Sequence, residues 1–523
     1  MLSLQERRRL FSGFLLLQIV CTCFVTINGD NEQEKKLYIV YMGDSPKPVF
    51  MSSLIQNSAA DEHVSMLKNV VGSPVAAKES ITRSYVNHFN AFAAKLSPEE
   101  AKQLQNKKNV ISVFPNGYKT LHTTKSWDFL GFPETVKRDQ KLESNLVVGV
   151  LDSGITPDSE SFNDKGFGPP PAKWKGTCGP FVNFTGCNNK IVGARYFKLD
   201  GTVDPADVLS PIDLKGHGTH TASTIVGNAV HDASLFGVGK GTARGAVPSA
   251  RVAMYKVCWV TDTCSDIDIL AAFEAAIEDG VDIISISLGS NTTLRDTPHN
   301  YFQDVIAIGS FHAMKKGILT VASAGNNGPS LDTVDNHAPW VLTVGATGTN
   351  RQYRSKIKLG NGQILSGIGM NTFDLEEKLY PLITGEAGSV KLNPSAYDPY
   401  MDAGLCKGNV LDTMKVKGKL VVSGFDEMAD QQHPADFVVS KSGGIGTIVI
   451  DNYGIRTNDT AGHYQCPATM VNTSTGGIIA SYIKSTSSPT AVIYKTEEVN
   501  VSAPFVPQFS GRGPNKGSRR LLK

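Results

Sequence analysis

The 523 residues predict an α/β protein: a parallel sheet with helices on both faces, preceded by a small α+β unit and carrying an inserted domain. Three observations lead there. From Ser126 to about Leu359, continuous apolar runs alternate with helix-period segments. Before it, Leu37 to about Leu121 mixes short strand patterns with a capped helix, and after it the alternation stops. Length alone implies more than one core. With 41% hydrophobic and 19% charged residues the chain has the balance of a folded protein. Its net charge of +2, from 51 basic and 49 acidic residues, gives no electrostatic case for nucleic acid or an anionic membrane as main partner.

The elements follow in order. Arg7, Arg8 and Arg9 precede an apolar run from Leu10 to about Ile27, and Gly29 leads into a polar stretch, which reads as a secretory signal peptide over 1–29. Ser12, Gly13 and Gln18 keep the continuous apolar stretch below the roughly 20 residues of a membrane span, so a cleaved leader is expected rather than an anchor. In the unit over 30–122, Leu37 to Met42 is a strand, Ser97-Pro98-Glu99-Glu100 opens a helix, and Asn109 to Pro115 is a second strand. Lys119 to Lys125 is polar and reads as an exposed linker. Strands are then expected at 146–151, 251–257, 281–287 and 318–324, with helices over 267–277 and 305–316. The domain over 123–374 gives way to an insert over 375–500, and 501–523 returns to the first domain.

Outside the leader, which holds Cys21 and Cys23, six cysteines remain: Cys178, Cys187, Cys258, Cys264, Cys406 and Cys466. An even number fits three disulfides in an oxidising compartment. Six cysteines allow about 15 connectivities; pairing of sequence neighbours is the expectation, with buried thiols as the alternative. Asn183, Asn291, Asn458, Asn472 and Asn500 head glycosylation sequons, each weak alone.

Three polar signatures sit at strand ends or in turns, where open α/β sheets place their sites. Asp152 directly follows the apolar strand Val147–Leu151, held as an orienting carboxylate must be; the Asp-Ser-Gly fragment alone reads rather as a strand-ending aspartate in a turn. His217 lies between Gly216 and Gly218 at a helix start, where a neutral imidazole serves as a general base. His220 at helical spacing raises a metal pair, but no H-E-x-x-H pattern accompanies it. Asn326, in Ser323-Ala324-Gly325-Asn326-Asn327-Gly328, offers an amide to a developing oxyanion, or is an ordinary Asn-Gly turn. Gly237 to Thr242 fails the nucleotide-binding glycine spacings and reads as a loop.

Together, Asp152, His217 and Asn326 in that order resemble the subtilisin-like serine proteases (subtilases), whose triad runs aspartate, histidine, serine. Thr123 to Gly131 resembles the mature start of their plant secreted, cucumisin-like branch, and Asn336 to Ala346 is similar to the same branch. The resemblance covers essentially the whole chain after the leader. It implies a subtilisin-like sheet, an inhibitory propeptide over 30–122 cleaved near His122, and a protease-associated domain over 375–500. Ser287, Leu288 and Gly289 would pair with substrate. The implied partners are polypeptide substrates, the chain's own propeptide and a homodimer through the insert, with no cofactor. The implied place is extracellular, the apoplast or cell wall for a plant protein.

Where the family carries its nucleophile in a Gly-Thr-Ser-Met-Ala segment, the residues after Asn326 hold none. Val501 to Asn515 resembles the return into the catalytic domain. The expectation is therefore a chain that lacks its serine, is inactive as written, and leaves apolar sheet surface uncovered. A non-catalytic inhibitor or decoy of other subtilases is the alternative.

Overall fold

A computed structural model describes residues 35–44, 53–116, 118–121, 127, 129–201, 204–260, 263–290, 300–390, 404–406, 410–425, 434–452, 454, 461–518 and 520–521. The expected leader, the sequons at Asn291 and Asn458, and the cleavage site near His122 lie outside the described residues.

The chain divides into two compact units, Met1–Asn116 and Gly117–Lys523. In the first, β1 (Lys36–Asp44), β2 (Ile81–Tyr85), β3 (Phe89–Leu96) and β4 (Ser112–Pro115) form a sheet of order β2-β3-β1-β4. The helices α1 (Ser53–Val71), α2 (Pro74–Ser80) and α3 (Pro98–Gln105) accompany it. Val40, Leu67, Phe92, Leu96 and Leu104 share its core. The expected helix start is a full capping box: Glu100 N–H donates to Ser97 Oγ, and Ser97 N–H donates to Glu100 Oε2.

In the second unit, β6 (Val147–Asp152), β7 (Ile191–Tyr196), β10 (Arg251–Lys256), β12 (Ile283–Ile286), β14 (Leu319–Ser323) and β15 (Leu342–Val344) form one parallel sheet. The strand order is β15-β14-β12-β6-β10-β7. Apolar runs rather than alternating ones build it because central parallel strands are buried on both faces; all six residues of β6 and of β10 are buried. Three helices accompany the sheet: α4 (His217–Val226), α5 (Asp266–Asp279) and α6 (Val305–Lys315). Val148, Val150, Ile191, Val252 and Met254 pack with Ala222 and Val226 of α4 in one cluster. On the opposite face, Tyr255 Oη donates to Asp279 Oδ2 of α5 at 2.8 Å. Every expected strand and helix is present within a few residues of its expected ends. Among the described residues, no helix is long and apolar enough to cross a membrane.

Three expectations change. The stretch read as a polar linker contains β5 (Tyr118–Leu121), paired between β11 (Cys264–Ser265) and β13 (Leu288–Ser290). Its partners lie far away in sequence, so no local pattern announces the strand. The Gly237 region, read as a loop, is a hairpin of β8 (Val230–Leu235) and β9 (Val238–Ala243). Its turn residues Phe236 and Gly237 both have positive φ, 48° and 86°, the backbone of a two-residue hairpin turn. The sheet that contains 375–500 begins earlier, at β16 (Arg351–Leu359), which pairs antiparallel with β17 (Ile364–Ile368). Asn361-Gly362 supplies that hairpin's turn. Six further strands, from Tyr380 to Asn500, complete an eight-stranded sheet.

Cysteine pairing is partly as expected. Cys178–Cys187 and Cys258–Cys264 are disulfides. The expected Cys406–Cys466 bond is absent, although both residues are buried. Cys466 Sγ instead donates to the Asp436 carbonyl at 3.5 Å, and burial, followed by the charge of Asp436, pushes its thiol up to about 12. A thiol held protonated is a poor partner for disulfide formation.

Candidate active site

The carboxyl ends of the parallel strands gather the expected residues. Asp152 is the last residue of β6 and is fully buried. Its Oδ2 accepts from Thr221 Oγ1 at 2.9 Å, and its Oδ1 accepts from Ser153 N–H at 2.7 Å.

His217 opens α4 after Gly216, whose φ of 85° lets the chain turn sharply into the helix. The next residue must be glycine, because a Cβ on Gly218 would lie 2.2 Å from the Gly154 carbonyl oxygen. This close approach brings the helix start down onto the end of β6. His217 Nδ1 and Asp152 Oδ1 are 2.7 Å apart. A carboxylate only accepts, so opposite one Nδ1 is the donor, and in the neutral imidazole Nε2 then keeps its lone pair. Nε2 is buried and has no hydrogen-bond partner among the described residues. Nδ1 is thus tied to a fully buried side chain, while Nε2 is left uncommitted among the described residues.

One organiser escaped the sequence reading. Asp213 accepts from Ser153 Oγ at 3.0 Å and from the N–H groups of Gly216 and Thr219, both at 2.9 Å. Ser153 Oγ in turn accepts from Gly218 N–H at 2.9 Å. Asp213 thus satisfies the exposed donors of the helix start and ties them to the end of β6. An aspartate four residues ahead of His217 is itself the signal, the composition of a capping turn. Behind it, Lys256 Nζ donates to the Ile212 carbonyl at 2.7 Å, and burial pushes this lysine down to about 8 against the opposing pull of Asp207 and Asp213.

Asn326 lies three residues beyond β14 and is exposed. Its loop is fixed from both sides. Ala324 N–H donates to Val344 O at 2.9 Å, and Gly325 O accepts from Gly511 N–H at 2.9 Å. The returning segment also meets this loop at Gly328, whose N–H donates to Phe509 O at 2.8 Å.

Ser287 joins β12 to β13, and Leu288 is fully buried. β13 pairs antiparallel with β5, Leu288 opposite Leu121, Gly289 opposite Thr120 and Ser290 opposite Lys119. On its other edge β5 meets Cys264 and Ser265. The slot expected for a substrate strand therefore holds the chain's own Tyr118–Leu121.

Beside α4, the same sheet face is open. Ile283, Leu319 and Val321 point to the face of Val148 and Val150, as the pairings Ile283–Val148 and Ile283–Leu319 require. Leu342 and Val344 share that face through Val321 and Ser323. Leu319, Leu342 and Val344 are 45%, 51% and 52% exposed, against 5% and 1% for Val148 and Val150.

Of the expected sequons, Asn183, Asn472 and Asn500 are exposed. Asn472 Oδ1 also caps a helix, accepting from Thr475 N–H at 2.9 Å.

Residues 143–514 match the subtilase family, and residues 37–122 match peptidase inhibitor I9, a span that ends one residue after β5. Subtilisin-like protease SBT4.14 of Arabidopsis thaliana is 52% identical over 496 residues, covering 95% of this chain and 63% of that protein. Subtilisin-like protease SBT4.15 of the same plant is 46% identical over 527 residues, covering 99% of this chain and 65% of that protein. This chain thus spans just under two thirds of the length of these relatives. A crystal structure of the epidermin leader peptide processing serine protease of Staphylococcus aureus overlaps only loosely, with TM-score 0.35 and 17% identity over 60% of this chain and 70% of that one. On the family match alone, which takes in both Asp152 and His217, the chain belongs to the subtilase family.

Proposed function

We propose that the protein is a secreted serine endopeptidase precursor in which Asp152 and His217 activate a serine hydroxyl supplied from outside the 523 residues. The carrying observation is the 2.7 Å Nδ1–Oδ1 bond with His217 Nε2 buried and uncommitted. In this reading Nε2 takes the serine proton as the oxygen attacks the peptide carbonyl, then returns it to the leaving amine. Buried Asp152 steadies the imidazolium formed between the two steps. The Asn326 amide donates to the tetrahedral oxyanion, a contact of about 3–4 kcal/mol in such sites.

The open strip of Leu319, Leu342 and Val344 supports the same reading. A helix laid there would run beside α4 on one sheet face and bring its N-terminus toward His217. Ser287 to Gly289 would bind polypeptide substrates by strand pairing. Tyr118–Leu121, in that place, makes the I9 segment an intramolecular inhibitor. Export through 1–29, cleavage near His122, glycosylation at the exposed sequons, and a protease-associated domain over 375–500 belong to this proposal. Two formed disulfides fit an oxidising compartment.

The test is hydrolysis of an unstructured polypeptide by the product translated beyond residue 523, with and without His217→Ala. Hydrolysis that falls about 10⁶-fold in the variant supports the proposal. No hydrolysis by the unsubstituted protein, combined with inhibition of mature relatives, would favour the inhibitor instead.

A further inference from the structure

We infer that Asn336 is a positioning residue that locks the substrate-pairing strand to the oxyanion strand through one side-chain amide. The inference rests on the protease reading for its consequences, though not for its geometry.

At the end of the central sheet, β12 and β14 part company. Ile286 still pairs with Ala322, but from Ser287 the chain leaves the ladder and becomes β13, in another sheet. The parting leaves carbonyls of two strands facing a gap, and buried carbonyls require donors. Asn336 supplies them. Its Nδ2 donates to Leu288 O at 2.7 Å and to Ser323 O at 2.9 Å. A carboxamide carries two N–H donors, one for each carbonyl, and because both partners only accept, the nitrogen must face them.

The amide is itself held firmly. Asn336 is 7% exposed, with a φ of 52°. That left-handed conformation suits asparagine and glycine and strains most other residues. Thr343 Oγ1 donates to its carbonyl at 2.6 Å, and the preceding Asp335 N–H donates to Ala324 O at 2.9 Å. The clamp is therefore anchored on both β15 and the Asn326 loop.

Each carbonyl has a functional consequence. Successive carbonyls of a strand point to opposite edges. Drawing Leu288 O toward Asn336 turns those of Ser287 and Gly289 toward the edge where β5 lies and a substrate would pair. Ser323 is the last residue of β14, three before Asn326, so its carbonyl sets where the oxyanion loop departs. One amide thus keeps the strand that grips the substrate and the loop that meets the oxyanion in fixed relation.

Asn336→Gly removes the amide and keeps the backbone, because glycine accepts the same φ. Asn336→Asp keeps the shape and replaces donors by acceptors. In the hydrolysing product, Asn336→Gly should raise KM about tenfold for peptides long enough to pair along β13 and leave KM of a short ester unchanged. It should lower kcat several-fold for both substrates. Asn336→Asp should be at least as impaired, despite its shape. A merely structural role would lower Tm and leave KM and kcat of the folded protein as they were, and that result overturns the inference. Amide exchange in the 523-residue chain gives a readout free of activity. Leu288–Ser290 and Ala324 should exchange about tenfold faster in Asn336→Gly, and unchanged exchange also overturns the clamp. If the unsubstituted product hydrolyses neither substrate, the protease reading fails and exchange alone decides the clamp.

Discussion

Two halves of one sheet face carry similar strands and opposite surroundings. Over β6, β10 and β7, α4 closes the face, and Val148, Val150, Ile191, Val252 and Met254 lie in a continuous apolar cluster with it. Over β14 and β15, Leu319, Leu342 and Val344 stand half in solvent. Val147–Leu151 is wholly apolar, and Leu319–Ala322 departs from that only at Thr320, which is itself buried. Both are strands of the kind that parallel sheets bury on two sides. The difference teaches that a strand's sequence records the burial it is built for, while its exposure records which partner is in place. The covered half carries the hydrogen-bonded Asp152 and His217. The open half borders Asn326.

The comparison can be broken or sharpened by substitution, starting with the covered half. In the hydrolysing product, Asp152→Asn should lower kcat about 10⁴-fold, because the amide presents His217 with the wrong tautomer; steady-state hydrolysis measures it. Ile191→Ala, at a fully buried position in the α4 cluster, should cost about 2–5 kcal/mol of unfolding free energy by urea titration. A loss under about 0.5 kcal/mol would mean that half is not a packed core.

A third prediction concerns the helix that follows β11. Fully buried Asp268 follows β11 closely and accepts from Leu199 N–H at 2.7 Å. Burial, with Asp200 nearby, raises its carboxyl to about 7 against the opposing pull of that hydrogen bond and of Lys198. The folded state then holds a proton between pH 4 and 7 that the unfolded state has released, given an ordinary aspartate value of about 4. Its contribution to stability is therefore present at the acid end and is lost as pH climbs through about 7. Asp268→Asn should flatten that fall, and urea midpoints at the two ends of the window would detect it. An unchanged slope would remove Asp268 as its source.

The smallest effect is expected on the open half. In the 523-residue chain, Leu342→Ala should change stability by less than about 0.5 kcal/mol, as at other exposed positions. In a longer product that covers this strip, the same substitution should cost about 2–5 kcal/mol. Equal small losses in both would show that nothing packs there.

Much of this was legible in the sequence, and the exceptions share a cause. The central strands announced themselves as apolar runs, α3 through its capping box, and Asp152 and His217 through a strand end and a pair of flanking glycines. Each is a local signal. What escaped depends on contacts between distant segments. β5 exists because β11 and β13 receive it, and Asn336 matters because its amide lies between carbonyls 48 and 13 residues away. The early start of the eight-stranded sheet is different, since Asn361-Gly362 between two strands was a usable hairpin signal just after the alternation stops near Leu359. The unformed Cys406–Cys466 bond shows that sequence proximity among the remaining cysteines does not decide pairing.

The proposal that most needs testing is that Asp152 and His217 together activate a serine hydroxyl. Labelling by a serine-directed fluorophosphonate tests it most directly. The account predicts no labelling of the purified 523-residue chain, and labelling of a product extended in frame that disappears in His217→Ala. Clear labelling of the 523-residue chain, or labelling of the extended product that survives His217→Ala, would contradict it.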